Sequence, residues 1–393
     1  MAHRILALDG GGSWALLEAL ALQAIYGDMP GHDILKEFDL AVANSGGSIV
    51  LGGLVENKTP AQILTLFSET ENREAIFARL PPLRHMLSRL PIFPRYASAG
   101  KLRGLQKVFK AQGLQSMSEL KGVVKNHHGR EVRILIVSFD YDAQRAVFFR
   151  NYGTRHGAKA DKIPLVDAVH ASSNAPVSFF DAPTHWGGRR YWDGAMSGLN
   201  NPLMAGLIDL LAQGVPAADI AVLTIGTGTI KLAPAAAEPP APAALSEAPE
   251  PSTLFNDLGK AGGCLTDDPP DTATFSAHVI LSAARNADVT QVGQVVRLSP
   301  VVQPVLTGDG WHLPEGLDPT LFATLTKLQM DAVADDAVKA LMDMGHAWIK
   351  GGVPNQAIRM RSDTLQATLG EDVFRDAVDR WRRLCAQGGP AGQ

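Results

Sequence analysis

The chain is poor in charge and poorer in cysteine. Only two cysteines occur in 393 residues, Cys264 and Cys385, far apart and without metal-type spacing, so they read as reduced thiols rather than a disulfide or zinc site. Charged residues make up 19% against 46% hydrophobic, and no apolar run approaches the roughly 18 to 20 residues needed to span a bilayer. A net charge of -4 gives no reason to expect nucleic acid. No acidic residue occurs between Glu74 and Glu119, and no internal repeat is visible. The first apolar run, Ile5 to Leu8, reads as a core strand rather than part of a signal peptide, which places the protein in the cytoplasm.

Short apolar runs alternate with helix-like stretches: Arg4 to Asp9 before Trp14 to Tyr26, Phe38 to Ser45 before Ser48 to Glu56, Pro202 to Ala212 before Asp219 to Ile225. That rhythm predicts an α/β fold, a mostly parallel central sheet flanked by helices. Two β-rich runs around Asp140-Tyr141-Asp142-Ala143 predict a strand pair on the same sheet. The catalytic core is expected at 1–231. Residues 232–252 turn to Ala and Pro and read as a flexible insertion. A helical part packing on the core is expected at 253–387, with helices over Thr274 to Asp288 and Gln329 to Lys350 and a strand at Val295 to Leu298; 388–393 reads as a disordered tail.

Three glycine turns carry the chemistry. In Ala43-Asn44-Ser45-Gly46-Gly47 an apolar strand ends at a serine between small residues and a helix-like segment follows. This is the layout of a nucleophile elbow, in which a strained serine projects its hydroxyl beside a helix N-terminus; a capping serine on an ordinary turn fits the segment equally well. Asp9-Gly10-Gly11-Gly12-Ser13 also lies at a strand-to-helix junction, where successive glycines can aim backbone N–H groups at one oxygen. A nucleotide loop is the competing reading, but Ala15 stands where the third glycine of Gly-x-Gly-x-x-Gly belongs and no Gly-Lys-Ser/Thr follows. In Trp192-Asp193-Gly194-Ala195 an aromatic run enters a turn whose carboxylate could take the serine proton, provided burial and geometry raise its basicity.

With Ala171 to Pro176 and Gly226-Thr227-Gly228, these segments give five motifs in the order in which the chain resembles the patatin-like phospholipases over roughly residues 4 to 230. The resemblance implies a three-layer architecture and a lipid acyl hydrolase acting on phospholipids or related lipids. It assigns Ser45 as nucleophile, Asp193 as base, and Gly10, Gly11 and Gly12 as oxyanion donors. No metal or organic cofactor is expected, because nothing in the sequence resembles a calcium or zinc ligand cluster. The family's usual Lys or Arg and Gly after the glycine triplet are Trp14 and Ala15 here, and its glycine before the elbow is Ala43. Two other readings stay open: a general carboxylesterase, and a catalytically weak lipid-binding or regulatory protein.

In the acid-free stretch, Arg84, Arg89 and Arg95 alternate with apolar residues such as Phe93 among four prolines. This reads as a mobile cap over the site with peripheral contact to an anionic membrane surface. Lys101 to Lys110 reads instead as a solvated basic helix face. A Ser-His-Asp triad would need His170, His278, His312 or His346, and the chain order argues for Asp193 instead.

Overall fold

The computed structural model describes residues 3–81, 93–153, 162–248, 251–253, 260, 269–356, 358–361 and 366–387. A mixed, mostly parallel eight-stranded sheet runs through the molecule. Its strands are β1 (His3–Leu8), β2 (Leu40–Ala43), β3 (Arg133–Asp140), β4 (Arg145–Arg150), β5 (Thr184–Trp186), β6 (Arg189–Asp193), β7 (Ile220–Ile225) and, after the short β8 (Thr229–Ile230), β9 (Val295–Leu298). The order is β5-β6-β3-β2-β1-β7-β9, with β4 also on β3. The β3-β2-β1-β7-β9 pairings are parallel and those of β4, β5 and β6 antiparallel.

Alternate residues of the central strands enter two separate cores. Leu6, Leu8, Ala41, Ala43, Ile134 and Ile136 join the core shared with helices Leu16–Tyr26, Ser45–Val55 and Leu165–Ser172. Ile5, Ala7, Leu40, Val42, Leu135 and Val137 join the core under helices Leu203–Ala212 and Pro269–Ala284. Because side chains alternate across a strand and both faces are covered, the middles of these strands are apolar on both faces. Three layers result, as expected from the alternation of runs.

The register of β3 sets the site. One edge of β3 carries β4, so β2 and β6 share the other edge, one after the other. Ala43 pairs with Ile136 and Asp193 with Ser138, two residues further along. The antiparallel β6 therefore brings Asp193 to the end of β2, where the serine turn begins.

The strand pair β3–β4 and strand β9 lie where the sequence predicts them. The helix expected over Gln329 to Lys350 covers only Asp335–Ile349, because the carbonyls of Gln329 and Met330 are turned towards the glycine loop. The C-terminal part also supplies strands: besides β9, β10 (Val301–Val302) pairs with β8. In the Ala/Pro-rich stretch Ala233 forms a bridge with Ser246, and Pro239 accepts a hydrogen bond from the Trp311 indole at 2.9 Å. The expected tail at 388–393 lies outside the described residues.

Candidate active site

Asn44 and Ser45 follow β2 directly, and the helix Ser45–Val55 starts at the serine itself. Ser45 has φ 49°, in the left-handed region that costs a residue with a side chain about 1–2 kcal/mol. Contacts on all sides hold it there. Its N–H donates to Ser172 Oγ at 2.9 Å, Ser48 Oγ donates to its carbonyl at 2.6 Å, and the Gly47 N–H reaches the Asp9 carbonyl at 3.0 Å. A side chain at Gly47 would stand 2.5 Å from that carbonyl, so the two turns can touch only through glycine.

Ser45 Oγ donates to Asp193 Oδ2 at 2.6 Å. The other carboxylate oxygen accepts from the Ala195 N–H at 2.9 Å and from Asn44 Nδ2 at 3.3 Å, which fixes the carboxylate plane. Asn44, Ser45 and Asp193 are all buried. Burial pushes the Asp193 carboxyl above its ordinary range, while hydrogen bonds from Ser45, Ala195 and Asn44 and the charge of Lys101 pull against it. The net rise makes Asp193 a stronger base than an aspartate in water.

The glycine loop leaves β1 beside this pair. Gly10 N–H donates to the Asn200 carbonyl at 2.8 Å, and Thr227 Oγ1 donates to the Gly10 carbonyl at 2.9 Å. The expectation of three donors facing one oxygen is therefore narrowed: Gly10 is engaged, and the N–H groups of Gly11 and Gly12 have no partner among the described residues. Gly12, at φ 60°, lines the same cavity as Ser45. Behind the loop, Asp9 Oδ2 pairs with Arg297 of β9 at 2.6 Å, and Arg297 also donates to Thr224 Oγ1 at 2.9 Å. Ser13 N–H and Oγ both donate to the Met330 carbonyl, at 2.8 and 3.1 Å, and the Trp14 indole donates to the Gln329 carbonyl at 2.9 Å.

The family model described as patatin-like phospholipase matches residues 6–207, which hold the glycine loop, the serine elbow and Asp193. The chain belongs to the patatin-like phospholipase family. Membership makes it a serine hydrolase of the lipid acyl hydrolase class. No curated protein was found that matches the chain. Among solved structures it is similar to VipD from Legionella pneumophila, at 12% identity and a TM-score of 0.38, over 88% of this chain and 67% of that one.

Aromatic side chains line the cavity of this patatin-like protein. Phe77, Phe179 and Phe180 face Ser45 with Ile49 and Met330, and Tyr96 packs on Phe77 and Phe180 at ring distances of 5.6 and 5.7 Å. Tyr96 OH donates to Asp331 Oδ2 at 2.7 Å, and Arg95 pairs with the same oxygen at 2.8 Å while its guanidinium lies 4.8 Å over Phe179. Arg95, expected at a membrane surface, is partly exposed and pairs with residues that line the cavity. Phe93 is half-buried, and Arg84 and Arg89, with most of the expected cap, lie outside the described residues.

Lys101 corrects the expectation of a solvated helix face. It is buried in the cavity beside Ser45, with Nζ donating to the Ser173 carbonyl and lying 4.4 Å over the Phe180 ring. Nothing in the spacing of the basic residues separates it from Arg103 or Lys107, although Gly100 and Gly104 on the same helix hint at close packing. Arg297 was equally hidden, in a strand that reads as four core residues.

None of the weighed histidines lines the cavity. His170 sits between the hydroxyls of Ser98 and Thr184, at 3.2 and 3.1 Å, and burial lowers its pKa to about 3, leaving it neutral. His278 bonds the Val289 carbonyl, His312 lies by Asp309, and His346 is exposed. Among the described residues no three His, Cys, Asp or Glu side chains converge to hold a metal ion, and no helix is long and apolar enough to cross a membrane.

Proposed function

We propose that Ser45 and Asp193 are the catalytic dyad of a phospholipase A or lysophospholipase type acyl hydrolase acting on phospholipids or related acyl lipids. The observation that carries this is the 2.6 Å bond from a hydroxyl on a left-handed elbow to a buried carboxylate of raised basicity. Asp193 takes the Ser45 proton as Oγ attacks the ester carbonyl, and the Gly11 and Gly12 N–H groups receive the developing oxyanion. Each such donor is worth about a hundredfold to a thousandfold in rate. Asp193 then protonates the leaving alcohol, and a water activated by the same carboxylate releases the fatty acid. The aromatic wall of Phe77, Phe179 and Phe180 suits an acyl chain. Within this reading 1–231 is the catalytic core, 232–252 an insertion and 253–387 a part that braces the core. The protein works in the cytoplasm, with peripheral membrane contact assigned to Arg84, Arg89, Phe93 and Arg95.

Fluorophosphonate labelling with peptide mapping, followed by fatty-acid release from phospholipid vesicles, tests it. Labelling at Ser45 alone is expected, with loss in Ser45→Ala and a fall of about 10²- to 10⁴-fold in kcat/KM for Asp193→Asn, which removes the base. Activity on short soluble esters but none on lipid aggregates would favour the general carboxylesterase. A wild type that does not label, with or without vesicles, would favour the lipid-binding protein.

A further inference from the structure

Among the described residues, Lys101 is a buried cation without a carboxylate in contact. Its ammonium has three donors. Among the described residues they meet the Ser173 carbonyl and the face of the Phe180 ring. A charge held away from water is costly unless an opposite charge compensates it, by contact or through a medium of low dielectric. The carboxylate whose charge acts on Lys101 is Asp193. Among the described residues, neither His170 nor Asp331 serves, and Asp181 accepts from the Ser98 N–H at 2.9 Å. His170, on the helix packed beside Lys101, is neutral. Asp331, across the cavity, is paired with Arg95 and bonded by Tyr96.

The backbone links the same two residues. Lys101 holds the Ser173 carbonyl, and the carbonyl of the next residue, Asn174, accepts the Asp193 N–H at 3.1 Å. Asn174 is itself anchored by Nδ2 to the Ala182 carbonyl at 2.7 Å. The lysine therefore reaches Asp193 by its charge across the cavity and by a short run of main chain.

Resting on the dyad reading above, we propose that Lys101 is a positioning residue of the dyad: its ammonium keeps Asp193 ionised and ready to accept the Ser45 proton, and its bond to Ser173 braces the segment that holds Asp193. The lysine touches neither Ser45 nor the reacting ester in this role. Burial lowers its own proton affinity, so its charge is lost within the range over which an esterase can be assayed. The two ionisations belong to the pair, so the pH at which Asp193 ionises carries the charge state of Lys101.

The sign follows from that charge. Labelling of Ser45 should rise with pH as Asp193 ionises beside the charged lysine and then level off, because Asp193 stays ionised once Lys101 loses its proton. Lys101→Met removes the cation, so Asp193 should ionise only at higher pH. The rising limb should shift up by about one pH unit or more, a loss of about tenfold at the wild-type limb, with the plateau regained at higher pH. Lys101→Arg stays charged, so it should keep the rising limb near its wild-type position.

The experiment is the rate constant for labelling by a small neutral fluorophosphonate between pH 5 and 10 for the three full-length proteins, with circular dichroism to confirm folding. A Met variant slowed by one factor at every pH, with its rising limb in place, would overturn the proposal. If the Met variant fails to fold, the Arg variant decides: a rising limb displaced by about a pH unit or more although the charge is kept overturns the assignment. Wild-type labelling at Ser45 that is lost in Ser45→Ala supports the hydrolase reading whatever Lys101 does, and absence of labelling overturns both.

Discussion

Ser45 and Gly10 each stand two residues beyond the end of adjacent parallel strands, β2 and β1, where strand gives way to helix. Their supports come from different parts of the chain. The elbow is held by Ser172, Ser48 and Asp193, all within the stretch that matches the family. The glycine loop is held largely by Thr227, Arg297, Gln329 and Met330, all beyond residue 207. The Ser45–Asp193 pair is thus built from the shared core, while the glycine loop depends on the C-terminal part. This gives a structural counterpart to the departure at Trp14: the indole that stands in place of the family's basic residue ties the loop to Gln329.

Breaking the loop's ion pair should have the largest effect. Arg297→Met leaves Asp9 buried without its partner, which should cost about 3–5 kcal/mol in urea unfolding and slow Ser45 labelling. Asp9 also gives the deficit a pH dependence. Burial already raises its folded pKa despite Arg297, so the folded state holds the proton more tightly than the unfolded chain, and stability falls as pH rises towards the folded pKa. Without Arg297 that pKa rises further. The gap between wild type and variant should therefore narrow as pH is lowered and widen towards neutrality; a gap constant from pH 5 to 8 would show that Asp9 is not the cause. Glu18 is fully buried beside Asp9, and burial and then the Asp9 charge hold its carboxyl well above the usual carboxylate range.

The matching change at the elbow should be smaller in stability and different in kind. Ser172→Ala leaves the buried Ser45 N–H without its acceptor, at about 1–3 kcal/mol. Since that bond helps hold the serine at φ 49°, labelling should slow at every pH without a shift of the profile. An unaltered labelling rate would mean that Gly47 and Ser48 suffice to hold the elbow.

The same contrast governs what could be read in the sequence. Strands with both faces covered are continuous apolar runs, so β1, β2, β7 and β9 are visible as such, and small residues at the elbow and loop betray the close approach of two turns. The Ser45–Asp193 pairing is legible as two separate motifs, but the rung on β3 that brings them together is a matter of register. Arg297 and Lys101 were hidden for a common reason. Each is a single charge whose partner, Asp9 or Asp193, lies far away in sequence, and local spacing carries no trace of a long-range pair. Gln329 and Met330 act through backbone carbonyls, which any residue supplies, and their apolar neighbours imitated the start of the Asp335–Ile349 helix.

Trp14 offers the finest cut through the loop's support. Trp14→Phe keeps most of the buried ring and removes one hydrogen bond, leaving the Gln329 carbonyl without the indole donor while Ser13 still holds the Met330 carbonyl. The expected cost is about 0.5–1.5 kcal/mol in urea unfolding. If the tie to Gln329 holds the loop in register, labelling of Ser45 should fall severalfold more than the same loss of stability causes in Trp348→Phe, whose indole donates to Asn355 at 3.2 Å rather than to the loop's strap. Equal labelling by the two variants would reduce Trp14 to a core residue and leave Arg297 and Met330 as the supports of the glycine loop.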